Sequence, residues 1–431
     1  MLISLAGACY FCFSMCWFRL EVLMLSVGID VAKGESMVCV MDRSFKIVMK
    51  PRKYKHVISV LGPLADRLRA LGDPDIKIIM EATGIYSQPI AKFFHDQGFF
   101  VSVVNPYSMK MFRKGGRGDL RNVKTDKADS LAIAEYGIKL VEKLREYEPA
   151  TGVYQQMNYL LRWYQETMKQ RIALLQELNG ITERTLPGIK AAGIVHGKAS
   201  DSKDMLLDFV STFWHYDQIT AMSENAFKKR YLKFASKKGH RLSLEKATTI
   251  YRLAKDGIPS LPADHLVKQS IMRIVEELER VGATLRDILS QMTELAKSRP
   301  EYAVVRAMGG VGDVLAVKLI AVLGDVRRFK TSKALVAYAG IDPPPNSSGQ
   351  FEGDKRRITK RGSTLARKIG YEVMKTLKSH KRPEDGAVYD YILRKESEGK
   401  AKKQAKIAGL NKFFRPVVHM PVTLQHGTPE A

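Results

Sequence analysis

The chain has 431 residues, about three times a typical single-domain length, so two or three folded units are expected and size does not limit core burial. Lys and Arg number 70 against 45 Asp and Glu, a formal charge of +25; with 27% charged and 45% hydrophobic residues, the composition excludes a disordered basic tail. A field of that sign and size attracts polyanions, nucleic acids first among them.

Four cysteines exclude a disulfide scaffold. Cys9, Cys12 and Cys16 lack a second pair or a nearby His to complete a zinc set, and Cys39 sits in an apolar run as a small buried hydrophobe. Residues 1–23 are apolar, but no Lys or Arg precedes the run, no cleavage site follows, and Arg19 ends it near the lower limit for spanning a bilayer. The strand pattern LSVGIDVAK begins directly after Met24. Residues 1–23 are therefore expected to lie outside the fold, and a cytoplasmic protein with no membrane partner is expected.

From residue 24 to 148 the pattern is α/β. Runs 25–32, 36–42 and 45–50 read as a three-stranded antiparallel meander. A helix near 56–71, a strand at 76–81, a helix at 88–97 and a strand at 99–104 closed by Asn105-Pro106 follow. Three hairpin strands and then alternating helix and strand is the order of a ribonuclease-H-like fold, a mixed sheet with functional residues at strand ends.

Residues 149–300 read as a coiled-coil helical domain. Val267, Ile271, Ile274, Leu278, Val281, Leu285, Ile288, Met292 and Leu295 recur at steps of four and three, with Asp264 as a start and Pro300 as a stop. An earlier helix through Tyr154, Met157, Leu161, Tyr164, Met168, Leu175 and Leu178 carries a looser stripe. The two either fold back on each other as an antiparallel hairpin or associate between chains. Residues 188–260 between them are polar, basic and mostly helical.

A third unit spans 301–414. Gly310-Val311-Gly312 followed by Ala316 fits the turn of a helix-hairpin-helix, where backbone N–H groups approach a phosphate; the alternative is a glycine-rich turn between packed helices. A helix at 332–339, a loop carrying Ser347, Ser348 and Gly349 after three prolines, and a helical region from 364 to 414 complete it, with 415–431 read as a loop-like tail. Lys355, Arg356, Arg357, Lys360 and Arg361 lie close after the serines, groups able to stabilise a phosphoryl transition state.

The first unit's acids are the candidates for chemistry. Asp30 stands between Ile29 and Val31 on the first strand, and Glu81 ends another; an acid there is costly to bury without a cation. Asp126 and Asp129 are three apart on one face of a helix. Four carboxylates in one pocket repel unless hard divalent cations separate them, so Mg²⁺ or Mn²⁺ is the expected cofactor. Lys110, Arg113, Lys114, Arg117, Arg121, Lys124 and Lys127 lead up to the Asp pair with Gly115, Gly116 and Gly118 among them, a flexible basic segment suited to a phosphate backbone or a merely solvated loop.

GIDVAK, MEATGIY, VNP, KTDKAD, GGVG, YAGIDP, the Ser-Gly turn and ITKRGS, in that order over residues 25–414, resemble the DEDD insertion-sequence transposases related to the Piv and MooV invertases. The resemblance implies a RuvC-like domain whose metal ligands and catalytic acids are Asp30, Glu81, Asp126 and Asp129, a coiled-coil linker, and a C-terminal transposase domain with Ser348, adjacent to Ser347, as nucleophile. It further implies a nucleoid-associated recombinase acting on donor and target double-stranded DNA, guided by a bridge RNA, working as a dimer to tetramer with a composite site, and cutting through a phosphoserine. Gly310, Gly312 and the basic residues named above would bind nucleic acid. The N-terminal extension and the tail depart from the family pattern. A RuvC-like nuclease with a structural serine turn and a non-catalytic nucleic-acid scaffold are the competing readings.

Overall fold

Three apolar runs form strands β1 (Met24–Val31), β2 (Glu35–Asp42) and β3 (Ile47–Lys55) in a computed structural model that describes residues 24–116, 125–149, 152–199, 201–344, 347–348, 351–352, 357–380, 383–384 and 386–418. The β2–β3 turn is shaped by Asp42, whose Oδ1 accepts from the Ser44 and Lys46 backbone N–H groups. Strand β3 continues five residues past the expected end, through Pro51. Pro is tolerated there because β3 is the edge of the five-stranded sheet, ordered β3-β2-β1-β4-β5.

Helix α1 (Ile58–Arg69), strand β4 (Asp75–Glu81), helix α2 (Ser87–Asp96) and strand β5 (Phe100–Val104) follow as expected, with β4 parallel to both β1 and β5. Strand alternation then sorts the side chains. Val27, Ile29, Val38, Val40, Ile78 and Met80 pack on Leu61, Leu64 and Leu68 of α1 and Ile90 and Phe94 of α2. The opposite face belongs to helix α4 (Asp126–Lys139), while helix α3 (Pro106–Gly116) buries Met109 beside it. Cys39 is fully buried, as its apolar setting implies.

The segment 110–116, expected as a flexible basic loop, is instead the end of α3. Pro106 starts that helix, with its fixed φ and absent N–H, and Asn105 Oδ1 accepts from the Tyr107 N–H.

The chain divides after Pro149 into two compact units, and all remaining elements belong to the second. Helices α5 (Gly152–Thr185) and α10 (His265–Lys297) carry the heptad stripes and pack on each other within the chain. Met157, Leu161 and Tyr164 near the start of α5 share a core with Leu285, Ile288 and Met292 near the end of α10, while Leu178 meets Ile271 and Ile274, so the pair is antiparallel. Asp264 caps α10, its Oδ1 accepting from the Val267 N–H.

Residues 188–260 hold helices α6 (Met205–Thr212), α7 (Tyr216–Thr220), α8 (Glu224–Lys238) and α9 (Leu244–Asp256). Edge-to-face contacts of Phe213 with Phe227 and Phe234 lie at their centre.

Helices α11 (Glu301–Ala307), α12 (Asp313–Leu323), α13 (Ser332–Ala339), α14 (Thr364–Ser379), α15 (Ala387–Ser397) and α16 (Lys402–Val418) close the second unit. The tail expected from 415 begins as helix, because Leu410, Phe413, Phe414 and Val417 form a buried stripe that carries α16 past Pro416. Residues 1–23 and 419–431 lie outside the described residues. Among the described residues no helix is long and apolar enough to cross a membrane.

Candidate active site

Two glycines set where the acids stand. Gly28 on β1 faces α4 so closely that a Cβ would lie 2.2 Å from the Ser130 carbonyl oxygen, and one on Gly137 would lie 2.4 Å from Ser26 Oγ. The Ser26 hydroxyl donates to the Ala134 carbonyl at 2.7 Å. Gly28 thus meets α4 backbone while Gly137 meets the Ser26 and Ile79 side chains, so α4 runs opposite to β1, and its first turn arrives at the C-terminal end of that strand.

Ile29 pairs with Met80 across the parallel strands β1 and β4, so Asp30 and Glu81 follow at matching positions one residue on. Both alternate onto the α4 face. Asp126 and Asp129 occupy the first turn of α4, where the helix N-terminus favours negative charge, and Thr125 caps it by accepting from the Ala128 N–H. Four acids spread over about a hundred residues of sequence thus feel one another at one end of the sheet. Asp30 is half-buried and pushed up to about 6, first by burial and then by Asp129, Asp126 and Glu81, with Arg113 opposing.

Arg113 is the cation that the structure brings to this group. Its Nη2 lies 3.3 Å from Glu81 Oε2 and 3.3 Å from Asp129 Oδ1. The guanidinium expected to face a phosphate is turned inward instead, because α3 ends over the two carboxylates that need a counter-charge. Among the described residues, no three His, Cys, Asp or Glu side chains are drawn together tightly enough to form a ready metal cage. The donor set is nevertheless all carboxylate oxygen, with Asp30 raised by burial and by the neighbouring acids, and that chemistry fits a hard divalent ion. Lys110 and Lys114 are exposed on α3, whereas Arg117, Arg121 and Lys124 lie outside the described residues.

In the second unit the serine segment is a small hairpin. Strand β6 (Ser347–Ser348) pairs antiparallel with strand β7 (Phe351–Glu352), Ser348 opposite Phe351, and Gly349 of the expected Ser-Gly turn lies outside the described residues. Its base is clasped: Thr359 N–H donates to the Asp342 carbonyl at 3.0 Å and Thr359 Oγ1 to Asp342 Oδ1 at 2.6 Å. Lys360 N–H donates to the Gly340 carbonyl, and Arg367 Nη1 to that of Ala339. Arg357, Lys360 and Arg361 are exposed beside this clasp, Lys360 with a φ of 56° that non-glycine residues rarely adopt; Lys355 and Arg356 lie outside the described residues.

The glycine turn between α11 and α12 divides in role. Gly310 has a φ of 80°, and a Cβ there would meet the Leu377 backbone at 2.8 Å, so this glycine serves helix packing. Gly312 opens α12 with free space around it.

The sequence pattern did not announce the inward turn of Arg113 or the clasp of Thr359 on Asp342. Pro106 as a helix start was the available signal for the first; the second arises from a contact 17 residues apart that no local pattern announces.

Two family models match the chain. The DEDD transposase model of the IS110 type covers residues 27–187 and the transposase model of the IS116/IS110/IS902 family covers residues 302–390. The chain therefore belongs to the IS110/IS116/IS902 transposase family. It is 22% identical to the transposase for insertion sequence element IS1111A of Coxiella burnetii over 80% of this chain and 75% of that one. It is 21% identical to the mini-circle putative transposase for IS117 of Streptomyces coelicolor over 79% and 81% of the two chains. A 26% match to an uncharacterised IS116 insertion-element protein of Streptomyces clavuligerus spans only 36% of that protein.

Proposed function

We propose that the chain is an insertion-sequence DNA recombinase whose RuvC-like, ribonuclease-H-like first unit works on DNA phosphates through Asp30, Glu81, Asp126 and Asp129, with Ser348 as the nucleophile. The observation that carries the reading is the convergence of the four acids around Asp30 and Arg113 in a chain of +25 charge. Mg²⁺ or Mn²⁺ held by those four carboxylates would supply Lewis-acid activation of a phosphodiester.

The remaining work falls to the chain's own groups. Asp30 binds a proton more readily than an ordinary carboxyl only while the site lacks a cation, and would give that proton up as the acids take one. Arg113 neutralises Glu81 and Asp129, and Arg357, Lys360 and Arg361 flank the serine hairpin with positive charge. Ser348 Oγ attacks the DNA phosphorus, forming a P–O bond to serine as the bond to the 3′ oxygen breaks and that oxygen leaves as a hydroxyl. The freed 3′ hydroxyl then attacks the phosphoserine of the partner strand, forming the new P–O bond as the serine oxygen leaves and regains a proton, so no nucleotide cofactor is consumed. Guidance by a bridge RNA, donor and target duplexes as substrates, an assembly of two to four chains and action at the nucleoid rest on the family resemblance.

The test is cleavage of DNA carrying the element's ends by full-length protein. Cleavage is expected to stop in EDTA and to fall by about a hundredfold or more in Asp129→Asn and Asp30→Asn. Undiminished cleavage by Asp129→Asn would overturn the reading.

A further inference from the structure

Outside the acid site, the first unit carries a strongly charged surface at its sheet edge. From Arg43 to Lys55 the sequence holds Arg43, Lys46, Lys50, Arg52, Lys53 and Lys55 and no Asp or Glu, and all six cations are exposed. They line the β2–β3 turn and the edge strand β3. At about 3.3 Å per residue, β3 is a rail of about 30 Å, close to one turn of B-form duplex, with register shifts against β2 beside Val40.

Edge strands ordinarily carry a Lys or a Pro to block pairing with another chain, and Pro51 with a single lysine would suffice for that. Six cations with no acid among them exceed it. One end of the rail lies level with the acid site: Lys53 pairs with Met37 on β2, which pairs with Asp30 on β1, and Lys53 Nζ bonds Glu35 Oε1 at 2.6 Å. At the other end Phe45 is exposed at a φ of 65°, with Lys139 of α4 over its ring at 5.5 Å, and Ile47 and Val48 are exposed beside it. Apolar groups set among cations suit a sugar-phosphate surface better than bulk water.

We infer that the β2–β3 turn and strand β3 form a track for the backbone of double-stranded DNA, leading a duplex to the four acids. The assignment of DNA rests on the reading that those acids process DNA; the phosphate affinity of the rail does not.

The experiment compares full-length wild type with Lys46→Gln/Lys50→Gln/Arg52→Gln and with Lys229→Gln/Lys233→Gln/Lys237→Gln on α8, which removes the same charge elsewhere. Anisotropy of a labelled duplex of arbitrary sequence is followed over a salt series in EDTA, with single-stranded RNA of equal length in parallel. The β3 variant is expected to bind duplex at least about tenfold more weakly at physiological salt, with the log–log salt slope reduced by about 0.9 for each phosphate no longer neutralised. The α8 variant is expected to change much less. Lys46→Arg/Lys50→Arg, which keeps charge and edge protection, is expected to bind as wild type; if it too binds weakly, or if the two Gln triples shift equally, the track is overturned. A weakening confined to RNA overturns the choice of DNA. Magnesium-dependent cleavage by wild type tests the proposed function separately: cleavage with rail-independent binding sinks the track alone, and rail-dependent binding without cleavage sinks the function alone.

Discussion

Asp30 is the residue at which the chemistry and the stability of the first unit meet. Because its carboxyl is pushed up to about 6, the folded chain holds the proton more tightly than the unfolded one does. Its stabilising contribution is therefore complete below about pH 4 and lost as pH rises through about 6. In metal-free protein, Asp30→Asn is expected to melt at a higher temperature than wild type at pH 7.5 and to flatten the decline between pH 4 and 6; an unchanged melting profile would show that the acids do not load this site. Arg113 supplies the opposing charge, so Arg113→Gln is expected to bind Mn²⁺ several-fold more tightly, read by the loss of free-ion paramagnetic signal. Weaker binding would mean that Arg113 helps to build the ion's site. The acids were legible in the sequence because strand ends and an i, i+3 pair fix their faces. Arg113 was not, since a basic run written among glycines looks the same whether its guanidinium faces solvent or carboxylates.

At the scale of elements, the site depends on how closely α4 lies on β1. Gly28→Ala would drive a methyl into the Ser130 carbonyl and the Ala134 amide, backbone atoms with nowhere to go, and is expected to cost about 3 kcal/mol or more in urea unfolding of the first unit. A loss under about 1 kcal/mol would contradict that packing. In the α5–α10 hairpin, Leu285→Ala is expected to cost about 2–5 kcal/mol, as for a fully enclosed leucine. The heptad stripe announced these helices and the Asp264 cap almost to the residue. It left hairpin and chain–chain association open, since periodicity fixes which face is apolar and says nothing of what covers it; α5 covers it here. The helices at 188–260 escaped detailed reading because their aromatic core joins short segments whose apolar stripes are only about two turns long.

Over the whole molecule, the positive charge, the family's two domain matches and the two candidate chemical elements point the same way. The acids belong to the first unit and the serine hairpin to the second, each held by interactions distant in sequence: Gly28 on α4 for one, Thr359 on Asp342 for the other. That division makes a covalent protein–DNA link the most telling product, since a nuclease that relied on the acids alone would cut without forming one. The measurement is a denaturing gel of full-length protein with Mg²⁺, candidate guide RNA and DNA carrying the element's ends, with Ser348→Ala and Ser347→Ala beside wild type. The recombinase mechanism predicts an adduct in wild type and Ser347→Ala that disappears in Ser348→Ala. Strand cleavage with no adduct in any of the three would contradict it.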